Sequence, residues 1–359
     1  MTPPQDRPGA TLEVVDLTRH FGSIVAVDHV SLSLGEGEIV AILGPSGSGK
    51  STLLGMVGGQ LRPDSGDILI SDHSIVNLPP NRRETTTVFQ DYALFPHLTV
   101  AENIAFGLRM HRWEKDAMQR QVAHMLELVG LTGLEKRAIS QLSGGQRQRV
   151  ATARALAVQP RVLLLDEPLG ALDRQIRQRL QKELSQLLRR LRMTALLVTH
   201  DQQEAFAMAD RVAVMRQGRL LQVAAPTELY RSPDNEFVAT FLGKGRIIEG
   251  KVVSTQAAFV MVEVEGGVFR CRGQATPGSP VRVLIRPEHV KIVANDDSTA
   301  VWLNLTIEEA TPAGETTDVL LGRGAFKLES VVLGQSRLAI GTTASVRLDP
   351  DGPVVIPQQ

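Results

Sequence analysis

Apolar runs of strand length recur along the first two thirds of the chain. Leu12-Glu13-Val14 opens the pattern, and Glu38-Ile39-Val40-Ala41-Ile42-Leu43 is an apolar run that ends at Gly44. A buried strand running into Gly-Pro-Ser-Gly predicts a strand–loop–helix unit, so 11–43 is expected as strands and Thr52-Leu53-Leu54-Gly55-Met56-Val57 as the helix. Between 115 and 130, Met118, Val122, Met125 and Val129 keep helical spacing, which predicts helical content for 91–150. Residues 161–166 and 194–199 are again short and apolar. Between them Ile176, Leu180, Leu184, Leu187, Leu188 and Leu191 form one apolar stripe. Strand, helix, strand in this order predicts a parallel sheet. The same helix carries Arg174, Arg177, Arg179, Lys182, Arg189, Arg190 and Arg192, which reads as the solvated face of an amphipathic helix.

The texture changes near 240. From Gly245 onward segments alternate with period two: Val260, Val262 and Val264 share one face, as do Val281, Val283 and Ile285. Turn residues separate these runs at Gly266-Gly267, Pro277-Gly278 and Pro350-Asp351-Gly352. The chain therefore reads as an α/β domain over 1–240, with a helical subdomain at about 91–150. An all-β domain over 245–359 follows, a small barrel or sandwich.

Composition narrows the function. The chain has 39 basic and 39 acidic residues, and a dedicated nucleic-acid binder would show a basic excess. One cysteine, Cys271, excludes an internal disulfide and suits a reduced cytosolic thiol. Met1-Thr2-Pro3-Pro4-Gln5-Asp6 shows no basic stretch followed by an apolar run, so no signal peptide is expected. No apolar run approaches the roughly 20 residues that a membrane span needs.

Three segments carry the chemistry. Gly44-Pro45-Ser46-Gly47-Ser48-Gly49-Lys50-Ser51-Thr52 is a phosphate-binding loop. Its glycines let backbone amides close on phosphate oxygens, and the helix that follows adds its positive N-terminal end. Lys50 is placed to reach the β- and γ-phosphates, and Ser51 to ligate Mg2+. Leu163-Leu164-Leu165 then delivers Asp166 and Glu167 to the sheet edge that holds the loop. Asp166 suits the magnesium shell, and Glu167 the orientation and deprotonation of the attacking water. ATP hydrolysis is the expected reaction. Third, Leu142-Ser143-Gly144-Gly145-Gln146 is a second amide-rich cradle heading a helix.

Two phosphate cradles in one chain resemble the ATPase subunit of an ABC transporter, whose signature reads LSGGQ. Such a five-residue match arises by chance in roughly one chain in two thousand. The resemblance implies that Ser143, Gly144, Gly145 and Gln146 cap ATP held by a second copy, in a head-to-tail dimer. It further implies that Gln90 contacts magnesium and the attacking water and links to the membrane subunit. Ala171-Leu172-Asp173 would cross the dimer interface, His200 would hydrogen-bond the γ-phosphate, and Phe21 would stack on adenine, where relatives usually have tyrosine. Gly58-Gly59-Gln60-Leu61 departs from the usual Ala-Gly-Leu/Phe, and a local packing effect is expected.

The tail over 245–359 is similar to the β-rich, TOBE-like domain of bacterial importer ATPases. Asn81-Arg82-Arg83-Glu84, the stretch from Val88 to Val100 and Glu102 to Leu108 resemble the polyamine, ferric-iron, sulfate and sugar importers; Asn81-Arg82 and Gly107-Leu108-Arg109-Met110 are most similar to spermidine/putrescine importers, with ferric iron next. The implied partners are a second copy of the chain, integral permease subunits and, indirectly, a substrate-binding protein, with no nucleic acid. The implied location is peripheral, at the cytoplasmic face of the inner membrane. Soluble ABC proteins of translation or repair share these motifs, but carry tandem domains or a long coiled coil. Exporter ATPases usually lack the β-rich tail or are fused to their spans.

Overall fold

Seen as a computed structural model, the chain is described over residues 10–170, 173–294, 297–334 and 338–357. Its elements begin with β1 (Leu12–Phe21), β2 (Ile24–Leu34), β3 (Ile39–Leu43), α1 (Lys50–Gly58), β4 (Ser65–Ile70), β5 (His73–Ser74) and β6 (Thr85–Val88). Three helices follow, α2 (Val100–Met110), α3 (Lys115–Leu128) and α4 (Gly144–Ala157). The unit continues through β7 (Val162–Asp166), α5 (Arg174–Arg190), β8 (Thr194–Thr199), α6 (Gln202–Met208), β9 (Arg211–Arg216) and β10 (Arg219–Ala224).

The strands sort into two sheets. One is antiparallel, in the order β2-β1-β4-β5. The other runs β10-β9-β3-β8-β7-β6; β9, β3, β8, β7 and β6 are parallel neighbours and β10 is an antiparallel edge. Every residue of β3 and β8 is buried, which is why both read as continuous apolar runs rather than alternating ones. Leu12, Leu17, Ile42, Leu53, Met56, Ile68, Leu164 and Leu196 belong to one core that gathers residues of both sheets and of α1. Each such side chain contributes about 1.5–3 kcal/mol of burial. The stripe foreseen on α5 turns inward, with Leu180, Leu184 and Leu188 buried.

Contacts divide the chain into two compact units at Pro226/Thr227. The second unit takes most of α7 (Pro226–Arg231) and all of α8 (Glu236–Phe241). Its strands are β11 (Arg246–Gln256), β12 (Phe259–Val264), β13 (Gly267–Arg272), β14 (Pro280–Ile285), β15 (Val290–Val293), β16 (Trp302–Pro312), β17 (Thr316–Arg323), β18 (Phe326–Leu333), β19 (Thr343–Leu348) and β20 (Val354–Ile356). Strands β11-β12-β13-β20-β14 close a barrel, and β15-β19-β16-β17-β18 form a five-stranded sheet. Val260, Val262, Val264, Val281, Val283 and Ile285 all point into one core around Trp302. The Trp302 ring lies 5.2 Å from Phe269 and 5.1 Å from Phe326, and its Nε1–H donates to Val264 O at 3.0 Å. Cys271 is buried in the same core, which pushes its thiol up to about 12. The buried Arg286 guanidinium donates to Lys244 O, Tyr230 O and Ala239 O, tying the α7–α8 segment to the strand that precedes it.

Candidate functional site

Strand register gathers the site. Leu43 pairs with Thr199, Asp166 with Val198, and Val88 with Leu165, so the C-terminal ends of β3, β8, β7 and β6 stand level. The loops that leave those ends carry residues 44–49, 200–201, 167–170 and 89–92 to one sheet edge. This is the edge where parallel α/β sheets take ligands.

The loop before α1 is shaped by close approaches. A Cβ at Gly44 would run into Met215 O and stand 2.8 Å from Ser48 Oγ, and a Cβ at Gly49 would run into Ala26 O. Gly49 (φ 105) and Gly47 (φ 77) are also left-handed, a conformation that favours glycine. Pro45, Ser46 and Gly47 face solvent, whereas Ser48 is buried and its Oγ has no hydrogen-bond partner. Helix α1 starts with Gly49 as its N-cap, with neither a capping side chain nor an acidic residue in its first turn. Its first amides are thus left to an anion. Lys50 is only 6% exposed and donates through Nζ to Gly44 O at 2.8 Å and Pro45 O at 2.9 Å. Burial pulls its ammonium below the usual lysine value, while Glu167 and Asp166 push it back. The cradle, the bare helix end and the inward cation fit a polyphosphate.

Asp166 ends β7, and its Oδ1 accepts from Ser51 Oγ at 3.4 Å. Burial and then the charge of Glu167 raise the Asp166 carboxyl, opposed by Ser51 and Lys50. The Asp166 carboxylate and the Ser51 hydroxyl are hard oxygen donors, the kind that suits Mg2+. Glu167 adopts a left-handed backbone (φ 44), held by its N–H on Val198 O at 2.9 Å. Its side chain reaches His200, with Glu167 Oε1 lying 2.9 Å from His200 Nδ1. His200 is 58% exposed. Behind it, Asp201 N–H donates to Thr199 Oγ1 at 3.0 Å, and Thr199 Oγ1 donates to the buried Glu204 Oε2.

Gln90 lies in a turn closed by Tyr92 N–H on Phe89 O at 2.9 Å, and its side chain is exposed. Phe21 ends β1 at 43% exposure, with the Arg19 guanidinium 4.9 Å from its ring centroid. One ring face is covered by Arg19. Ser143 caps α4: its Oγ accepts from Gln146 N at 3.3 Å, while Gln146 Oε1 accepts from Ser143 N–H at 3.0 Å. Gly144 and Gly145 are the helix's first residues, and a Cβ at Gly145 would stand 3.1 Å from Leu180 Cδ1. Among the described residues, this segment makes no hydrogen bond to 44–52. The structure thus joins Lys50, Ser51, Asp166, Glu167 and His200 and leaves Ser143–Gln146 apart. Asp173 caps α5, accepting from Ile176 N–H at 3.0 Å, and Ala171 and Leu172 lie outside the described residues.

Three residues near the site escaped sequence reasoning. Arg83 is buried and donates to Met56 O, Val57 O, Val76 O and Leu78 O, so a cation sits at the negative end of α1. The departure at 58–61 belongs here, because a Cβ at Gly59 would stand 2.7 Å from Arg83 Nε. Glu204 and Arg154 are the others. Each looks ordinary in sequence, since helical spacing does not report which carbonyl or hydroxyl lies opposite.

Comparison with known proteins agrees with this geometry. The ABC transporter family matches residues 27–170, and the TOBE domain matches 283–356. The spermidine/putrescine import ATP-binding protein PotA of Thermotoga maritima is 45% identical over 287 residues, covering 79% of this chain and 78% of that relative. The protein of the same name from Rubrobacter xylanophilus is 43% identical over 323 residues, covering 88% and 84%. Among solved structures, dimeric MJ0796, a bacterial ABC transporter cassette, superposes with a TM-score of 0.53 at 30% identity. It covers 60% of this chain and 98% of its own. The same cassette has been seen as a dimer in a post-hydrolysis state bound to ADP and Pi.

Proposed function

Because the chain belongs to the ATP-binding proteins of ABC transporters, as an ATPase with a TOBE domain, we propose that it energises import of spermidine/putrescine-type polyamines. The observation that carries this reading is the match to polyamine-import relatives at 42–45% identity over 78–88% of the chain. No helix among the described residues is long and apolar enough to cross a membrane; in this reading integral permease subunits supply the pore. In this reading the chain works as a head-to-tail dimer bound peripherally at the cytoplasmic face of the inner membrane.

The residues take the following parts. Lys50 exchanges the carbonyls of Gly44 and Pro45 for phosphate oxygens, and the amides of 44–52 surround the same phosphates. Ser51, Asp166 and Gln90 would hold Mg2+, which when bound would neutralise charge on the β- and γ-phosphates. Glu167 accepts the proton of the attacking water. His200, oriented through Nδ1 by Glu167, offers its other ring nitrogen to the γ-phosphate. Phe21 receives adenine on the face that Arg19 leaves open. Ser143, Gly144, Gly145 and Gln146 serve the ATP of the second copy, which suits their separation from the chain's own loop. A groove of about 900 Å³ lined by Phe89, Phe95, Phe106 and Trp113 supports docking of a cytoplasmic helix of the permease beside the Gln90 turn.

Glu167→Gln tests the assignment. With MgATP the purified variant should run as a dimer without turnover, and cells carrying it in place of the wild type should lose uptake of labelled spermidine. A monomer, or unimpaired hydrolysis, sinks the role of Glu167. Normal spermidine uptake in cells lacking the chain sinks the polyamine reading.

A further inference from the structure

The turn that bears Gln90 is backbone under constraint. Tyr92 (φ 65) and Ala93 (φ 44) are both left-handed, a conformation that residues with a Cβ keep only where their surroundings hold it. Part of the hold is local: Tyr92 N–H closes on Phe89 O, and Ala93 N–H donates to Asp91 Oδ1 at 3.1 Å. The rest comes from another element. Arg154 on α4 donates from one guanidinium nitrogen to Ala93 O at 2.6 Å and from another to Tyr92 O at 2.8 Å. Its guanidinium carbon lies 5.5 Å from the Phe95 ring centroid; burial pulls the guanidinium below the usual arginine value, and the Asp91 charge opposes this. A planar fork matches two consecutive carbonyls in a way that a single ammonium does not.

The placement of this clamp matters because of what α4 carries. From its Ser143 cap, α4 runs unbroken to Ala157, so the helix that begins with the signature also grips the Gln90 turn near its other end. A rigid helix cannot shift its cap without moving Arg154. We propose that Arg154 is a positioning residue that locks the Gln90 turn to the signature helix, so that the segment serving one ATP and the glutamine serving the other move together. This rests on the assignment of Gln90 to hydrolysis made above. Arg154 touches no reacting atom and acts through Gln90. The buried Tyr92 ring, whose hydroxyl has no partner, anchors the turn by packing alone and leaves its carbonyl direction to Arg154.

A double-mutant cycle on the full chain with MgATP tests the idea. Arg154→Met removes both hydrogen bonds and should lower kcat by at least about tenfold, the low end for a single charge-assisted bond, with KM for ATP changed less than twofold. Arg154→Lys should recover part of the loss. In the Gln90→Ala background neither Arg154 substitution should lower kcat further, although thermal unfolding shows each variant folded. If the Arg154 and Gln90 losses multiply, or if KM rises in step with the fall in kcat, Arg154 does not act through Gln90 and the proposal is overturned. If Gln90→Ala by itself leaves kcat unchanged, the assignment of Gln90 fails and takes the proposal with it.

Discussion

Glu204 makes the chain's stability depend on pH in a direction opposite to that of most carboxylates. The side chain is 3% exposed, Thr199 Oγ1 bonds one oxygen, and Oε1 is buried without a partner. Burial is the main cause that raises its carboxyl from 4.5 to about 7; Asp201 and Glu167 add to this, and Thr199 and Arg177 oppose it. Folded Glu204 thus keeps its proton up to about pH 7, while the unfolded chain releases it near 4.5. Between those values the folded state binds more protons, so stability is highest below 4.5 and falls as pH rises. Integrated from pH 5 to pH 8, the loss is about 2.5 kcal/mol. Glu204→Gln removes the titration and keeps an acceptor for Thr199. Its amide group costs a fixed amount that cancels between the two pH values. Urea unfolding of the first unit, read by Trp113 fluorescence in a Trp302→Phe background, measures the difference. The variant should gain about 2.5 kcal/mol relative to wild type on going from pH 5 to pH 8. A difference between the two proteins that stays within about 0.5 kcal/mol across that range refutes the argument.

Two further outcomes follow from the loop and the hairpin. Gly49→Ala puts a methyl against Ala26 O at φ 105; it should lower stability by at least about 2 kcal/mol, a fall of roughly 4–8 °C or more in the Tm of the first unit. Gly47→Ala meets open space and should cost only about 1 kcal/mol, so equal losses in a calorimetric scan would discredit the steric account. Phe21→Ala should weaken ATP binding about 5- to 150-fold by titration calorimetry, with Phe21→Tyr close to wild type; a change under about twofold removes stacking from the site.

What the sequence made legible follows from where burial is symmetric. Ile39–Leu43 and Thr194–Thr199 are covered on both faces, so each shows as a continuous apolar run with a clear end. The loop at 44–52 and the Asp166-Glu167 pair were legible because the chemistry there needs particular residue types at particular spacing. Period-two alternation exposed the barrel strands in the same way. The antiparallel edge β10 was not legible, since pairing direction leaves no local trace. The left-handed twist at Glu167 is a tertiary outcome as well, for nothing about a glutamate announces φ 44. Arg83 and Arg154 resemble any surface arginine until the carbonyls across from them are known. Glu204 looks like the polar side of a short helix, and burial places it under β8 instead.

Cys271 has one more consequence. It is the chain's one cysteine, it lies in the second unit's core, and its thiol is held as the protonated form at any working pH, pushed up to about 12. Maleimides and disulfide reagents attack thiolates that they can reach. The native chain therefore behaves toward them as if it were cysteine-free. A cysteine introduced at an exposed position, such as Ile24 on the hairpin or Leu333 on the sheet, would be the sole reactive handle for a dye or spin label. Distances between two copies could then be followed through a turnover cycle without first stripping the protein of its own thiol.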